Sequence, residues 1–140
     1  MPVASYQFEI ATKGFCDVRD VTAEVASAVK KSGLSEGLAT VFVPGATAGV
    51  TTVEYESGLV QDLKAALERL VPRDMTYAHD SRWGDGNGFS HIRASLLKAS
   101  LSIPFSGGGL ATGTWQQIVV VDFDARPRRR RVLVQVIGER

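Results

Sequence analysis

The chain has 140 residues, the length of one ordinary domain, and its 44% hydrophobic and 22% charged residues exclude a disordered polymer. A formal net charge of +1 leaves no global field to draw it to nucleic acid or to a membrane surface. Cys16 is the single cysteine, which rules out an internal disulfide and suits a reducing compartment. The first ten residues alternate and include Glu9, unlike the apolar block of a signal peptide. No apolar run approaches the roughly 20 residues of a membrane helix. The expectation is a soluble, cytoplasmic protein with no membrane partner.

In chain order, Tyr6, Phe8 and Ile10 alternate with Gln7, Glu9 and Ala11, the period of a half-buried strand. Val21, Val25, Ala28 and Val29 form a helical stripe, with Asp20 placed to cap its start and Gly33 to stop it. Leu38 to Val43 is an uncharged, β-branched run that reads as a central strand, ended by Pro44 and Gly45. Val50 to Glu54 reads as another strand. Ser57 to Leu70 is the clearest helix, burying Leu59, Leu63, Ala66, Leu67 and Leu70, with Asp62 on its polar flank and Pro72 just beyond its end. Asp80 to Asn87 is turn-rich. Ile92, Leu96 and Ala99 predict a short helix that Asn87 or Ser90 caps. Gly107 to Gly109 predict a flexible turn. Gln117–Asp124 and Arg131–Ile137 are β-rich and read as an antiparallel pair. Without regular βαβ alternation, the expected class is α+β, a single domain with a mostly antiparallel β-sandwich and two or three helices.

The two histidines, His79 and His91, flank the turn-rich loop that carries Asp80, Asp85 and Asn87. Folded back, that loop would bring together two imidazoles, groups that titrate near neutral pH and bind divalent metals. Spacing alone has no motif specificity and favours two unrelated histidines. Glu54 ends a predicted strand, where side chains often project into a site. Gly49, Thr51 and Thr52 follow the Pro44 to Ala48 turn, where N–H and hydroxyl groups suit an anion; a simple connection accounts for them equally well. Trp115 and Gln116, in the run Gly113 to Gln117, could stack on and read a planar ring, or Trp115 could cap the core edge. Trp83 is either a lid residue or an exposed aromatic. The basic run Arg126 to Arg131 reads as a structural or solvated hairpin tip, with carboxylates of a neighbouring subunit as a pairing partner; nucleic-acid binding is not expected.

Several of these segments also match motifs. Gly113 to Ile118 (GTWQQI), Asp122-Phe123-Asp124 and the arginine-rich link, Val132 to Gly138 (VLVQVIG), Ala94 to Leu97 followed by Ser102 to Phe105, Tyr77-Ala78-His79, Asn87 to His91 and Thr47 to Thr51 together resemble the YjbQ-like (secondary thiamine-phosphate synthase) family over essentially the whole chain. The resemblance implies an α+β sandwich assembled as a homotrimer. It implies a weak thiamine-phosphate synthase activity, joining a hydroxymethylpyrimidine diphosphate to a thiazole phosphate. It also implies a histidine pocket holding a divalent metal (Mg or Zn) or an anion. Carried onto this chain, His79, His91 and Glu54 become the catalytic set and His79 and His91 the metal ligands. Trp115, Gln116, Asn87, Thr47 and Thr51 become the residues around a phosphorylated small molecule. One departure stands out. Gly45 and Ala46 occupy the family's His and Thr positions, so a three-histidine site is reduced to two, and a carboxylate or water would have to complete a metal shell. A trimer with a degenerate, anion-binding pocket is therefore the alternative to an enzyme.

Overall fold

Strong alternation along the termini and unbroken apolar runs inside the chain sort its strands into two sheets. The computed structural model describes residues 1–140. The elements run β1 (Val3–Thr12), β2 (Asp17–Asp20), α1 (Thr22–Ser32), β3 (Glu36–Phe42), β4 (Ala48–Val53), α2 (Ser57–Leu70), α3 (Ala78–Trp83), α4 (Gly88–Leu97), β5 (Ser100–Ser106), β6 (Gly109–Leu110), β7 (Gln117–Asp122) and β8 (Arg128–Glu139). The five-stranded sheet has the order β1-β8-β3-β5-β6 and the three-stranded sheet β2-β7-β4; every pairing is antiparallel. The α+β class with mostly antiparallel sheets is as expected. No helix is long and apolar enough to cross a membrane.

The small sheet is the middle layer. Val50, Ile118 and Val120 join Val41, Val134, Phe105 and the α1 residues Val25 and Val29 in the larger core. Val119, Val121 and Phe123 turn the other way, onto Leu67 of α2 and Ala94 of α4. This explains the sequence. Ile118 to Val121 are buried on both faces, so β7 reads as a continuous apolar run. β8 alternates because only one face of the large sheet is covered.

Two readings need correction. Gln117–Asp124 and Arg131–Ile137 do not pair with each other: β7 lies between β2 and β4, whereas β8 lies between β1 and β3. The chain changes sheets through Ala125 and Pro127. A strand buried on both faces and one with an open face belong to different layers, and their adjacency in sequence does not override that. Leu70 is not part of the α2 stripe but is 74% exposed, because α2 rests only Leu67 fully on the core. The turn-rich loop also holds a helix, α3, closed by Gly84 in the left-handed region, which makes four helices in all. At α1 the Asp20 carboxylate accepts from the Thr22 N–H (2.9 Å), and Gly33 ends the helix at φ 71°.

Candidate functional site

His79 is the second residue of α3 and His91 the fourth of α4. The starts of these helices are drawn together by the Asp80 carboxylate, which accepts from the Gly88 N–H at 2.8 Å. A side chain at position 88 is excluded, since its β-carbon would fall 2.6 Å from Cβ of Tyr77. α4 is anchored behind this point. Buried Arg93 donates through Nε and Nη2 to the Val71 carbonyl (3.1 and 2.9 Å) and through Nη2 to Glu68 (2.7 Å), and the Ser90 hydroxyl donates to the Phe123 carbonyl. The outcome is convergence: the His79 and His91 ring centroids lie 4.4 Å apart with a 41° tilt.

Two buried polar atoms here have no hydrogen-bond partner, His79 Nδ1 and Asn87 Oδ1. Asp80 Oδ1 lies 3.5 Å from that Nδ1 without forming a hydrogen bond to it. Buried polar groups are ordinarily paired, so each of these orphans marks a place where a ligand or water completes the bonding. Two cavities lie near this region, one lined by His91 and the other by Asn87. One, of about 330 Å³, is bounded by Gly45, Ala46, His91, Ser95, Lys98 and Ser100. The other, of about 400 Å³, is lined by Asp85, Asn87, Asp124, Arg126 and Arg128.

A buried ionic network forms the wall behind them. Arg130 donates from Nε to Asp122 Oδ2 (2.7 Å), and from Nη2 to Asp122 Oδ1 (2.9 Å) and Thr47 Oγ1 (2.6 Å). The Thr47 hydroxyl donates to Asp124 (3.2 Å), Thr12 donates to Asp122 (2.5 Å), and Arg128 Nε donates to Asp124 (2.5 Å). Burial pushes the Asp122 carboxyl up, but hydrogen bonds from Arg130, Thr12 and the Asp124 N–H, with the Arg130 charge, outweigh it and hold the group below its ordinary value. Burial likewise opposes ionisation of Asp124, and the bonds from Arg128, the Ala125 N–H and Thr47, with the Arg128 charge, prevail. The basic run is thus structural at Arg128 and Arg130 and solvated at Arg126, Arg129 and Arg131. Arg128 and Arg130 face inward onto the chain's own carboxylates, and Arg129 reaches out to Glu9 at 3.5 Å.

The remaining candidates lie elsewhere. Thr47 is buried and committed to the network. Thr51 is half-buried in mid-strand, opposite Val119. Glu54 is exposed just past β4, about 20 Å along the strand from Ala48. Trp115 is 72% exposed, and Gln116 donates to Thr52 Oγ1 (3.2 Å) at that same far end. Within one chain, then, Glu54, Trp115 and Gln116 form a second group remote from the imidazoles. Asp62 is on the exposed side of α2. No third His, Cys, Asp or Glu joins His79 and His91 in a group able to hold a metal ion. Two imidazoles do not fit a closed zinc centre, which takes four protein donors. Sequence reasoning passed over Arg130, Asp122 and Asp124 as site walls. Their signal is the period of two in Asp122/Asp124 and Arg128/Arg130, which puts each pair on one face of an extended chain.

Comparison with known proteins gives one consistent result. A family model described as UPF0047 protein YjbQ-like matches residues 6–139. A UPF0047 protein of Methanothermobacter thermautotrophicus is 34% identical over 139 residues, covering 99% of this chain and 95% of that relative. The UPF0047 protein YugU of Bacillus subtilis is 30% identical over 131 residues, covering 93% and 96%. Among solved structures, a hypothetical protein from Aeropyrum pernix superposes with a TM-score of 0.90 at 32% identity, covering 97% of this chain and 99% of that one. A YbjQ-like protein from Sulfolobus solfataricus gives 0.89 at 28% identity, covering 99% and 100%.

Proposed function

Since the chain belongs to the UPF0047 YjbQ-like family, we propose that it is a cytoplasmic homotrimer that binds phosphorylated small molecules at His79 and His91 and catalyses a weak thiamine-phosphate synthase reaction there. In that reaction a C–N bond forms at the methylene carbon of the pyrimidine as the C–O bond to pyrophosphate breaks. The chemistry asks for hydrogen-bond donors on the departing diphosphate. The observation that carries the reading is the pair of imidazoles 4.4 Å apart, one of which, His79, has an unpartnered buried Nδ1. Asn87 orients the bound molecule. The two imidazoles alone are too few protein donors for a closed metal site.

Glu54, Trp115 and Gln116 serve this site only if another copy brings them to it, and that is the role the reading gives the trimer. Support for self-association comes from the outer face of the large sheet, where Val3, Leu38, Phe42 and Ile137 are exposed. The test is incubation of the purified protein with both phosphorylated precursors, with and without Mg²⁺, followed by detection of thiamine phosphate. Product formation that His79→Ala and His91→Ala each abolish is the expected result. No product above buffer in either condition overturns the enzymatic reading.

Gly45 favours a second reading, binding without turnover, because it removes an imidazole from the pocket wall. Saturable pyrophosphate binding with no product would establish it.

A further inference from the structure

Lys98 stands where the backbone calls for glycine. It closes α4 at φ 81° and ψ 159°, a region in which residues with a β-carbon are strained. Both flanking bonds hold it there. Its N–H donates to the Ala94 carbonyl at 2.8 Å, and its own carbonyl accepts from the Val50 N–H at 2.9 Å. Gly49 makes the second bond possible, since a β-carbon at 49 would lie 2.8 Å from the Lys98 oxygen. The strain therefore cannot relax without breaking the join between α4 and β4.

Packing does not account for the lysine. Its side chain is exposed, and no carboxylate lies within ion-pair distance of its ammonium. Strain of this kind persists where it serves a site. The position borders the cavity of about 330 Å³ that also carries His91, Ser95 and Ser100 and is floored by Gly45 and Ala46. No aspartate or glutamate lines it. The Ser95 hydroxyl is spent on the His91 carbonyl (2.8 Å), which fixes the wall beside the imidazole and leaves Lys98, His91 and Ser100 as the free polar groups.

We infer that this cavity is an oxyanion subsite in which Lys98 and His91 grip a phosphoryl group of the bound molecule, with Lys98 supplying the full positive charge. The inference rests on the phosphorylated-ligand reading of the imidazole pair and adds a residue to it. An ammonium is a strong point charge for a phosphate, and a charge-assisted bond to it is worth roughly a tenfold change in affinity or more.

The test is calorimetric titration of the full chain with inorganic phosphate and with pyrophosphate at fixed ionic strength, using acetate as the carboxylate control. It compares wild type with Lys98→Gly and Lys98→Gln. The glycine variant should melt higher than wild type in phosphate-free buffer, because it relieves the strain. It should also bind phosphate about tenfold or more weakly. The glutamine variant should melt like wild type and lose phosphate affinity to the same degree. Unchanged phosphate affinity in both variants, no saturable phosphate or pyrophosphate binding by wild type, or acetate binding as tightly as phosphate would each overturn the inference. If phosphate binding depends on Lys98 but no thiamine phosphate forms, the subsite stands and the proposed reaction falls. If product forms with the same KM for both precursors in wild type and Lys98→Gly, the reaction stands and the subsite falls.

Discussion

Arg130 Nη1 lies 2.9 Å from the point that a β-carbon on Gly45 would occupy, so the guanidinium and any side chain at position 45 compete for one volume. The guanidinium cannot easily yield, because Nε and Nη2 are held by Asp122 and Thr47. The glycine is fixed twice over, since its φ is +117°, in the region that disfavours a side chain. Glycine at position 45 is therefore not a free surface choice but part of the way this chain packs its buried arginine.

Gly45→Ala should lower the free energy of unfolding by about 1–3 kcal/mol, the cost of a strained residue plus displacement of a pinned group. Urea unfolding measures it. For the same reason Gly45→His should not by itself create a tight metal site. Zinc titration of that variant should show no gain in affinity unless Arg130 is also shortened. A tight zinc complex in the single variant would mean that the guanidinium moves more readily than its bonds suggest.

The buried pair sets a second expectation. Asp122 is fully buried and bidentate to Arg130. Asp122→Asn removes the bidentate counter-charge of a buried guanidinium and leaves it only Asp124 at 3.8 Å, which costs up to about 3–5 kcal/mol. The double variant Asp122→Asn with Arg130→Met should be less destabilised than the sum of the two single changes. Additivity in the cycle would deny the coupling.

How much of this could be read from the sequence depends on the range of the interaction. The helix over Ser57–Leu70, the Gly33 stop of α1 and the alternation of β1 are local, and they emerge where the pattern puts them; Asp20 lies one residue before the N-cap, Val21. The pairing of β7 is not local. Its continuous apolar run says only that both faces are covered, and its partners, β2 and β4, are distant in sequence. His79 and His91 meet because of a Gly88–Tyr77 approach that spacing alone does not encode. Lys98 was invisible as a site residue because its meaning lies in a dihedral angle. Glu54, Trp115 and Gln116 carry motif signal, yet lie at the opposite end of β4 and β7 from the imidazoles.

Stability should fall in acid, and the sign follows from the depressed carboxyls. Asp122 and Asp124 both ionise more readily in the folded chain than in the unfolded one. The unfolded state therefore binds more protons at low pH, and the stabilisation is fully present above the ordinary carboxyl pKa of about 4. It is lost as pH falls from there through the folded values. Unfolding free energies from neutral pH down to about pH 3 should decline on the acid side. Asp124→Asn should flatten part of that slope. A flat profile in wild type would contradict the network.

The imidazoles should separate binding from folding. Both rings are only partly buried. His79→Ala and His91→Ala should each change stability by less than about 1 kcal/mol while abolishing saturable pyrophosphate binding. Calorimetry and urea titration on the same preparations decide it. Loss of stability in step with loss of binding would make the pair a structural contact instead.

The outer face of the large sheet gives the last expectation. Val3 faces Ile137, and Ile137 faces Leu38, so exposed apolar side chains from β1, β8 and β3 line up in one row, and Leu38 continues it to Pro104 of β5. Two residues along β3, Thr40 meets Ser102 and Gln135 in a polar row, and beyond it Phe42 pairs with Leu133. Apolar rows on an otherwise uncovered sheet face suit a second copy of this chain better than water. On the proposed trimer, Leu38→Glu should therefore shift the sedimentation of the protein to that of a monomer with its circular dichroism spectrum unchanged. If the site is shared between copies, mixing His91→Ala with Trp115→Ala protein should restore part of the activity that each variant lacks alone. A wild-type protein that sediments as a monomer at all concentrations would leave Glu54 and Trp115 without a way to reach the imidazoles, and the shared site would have to be abandoned.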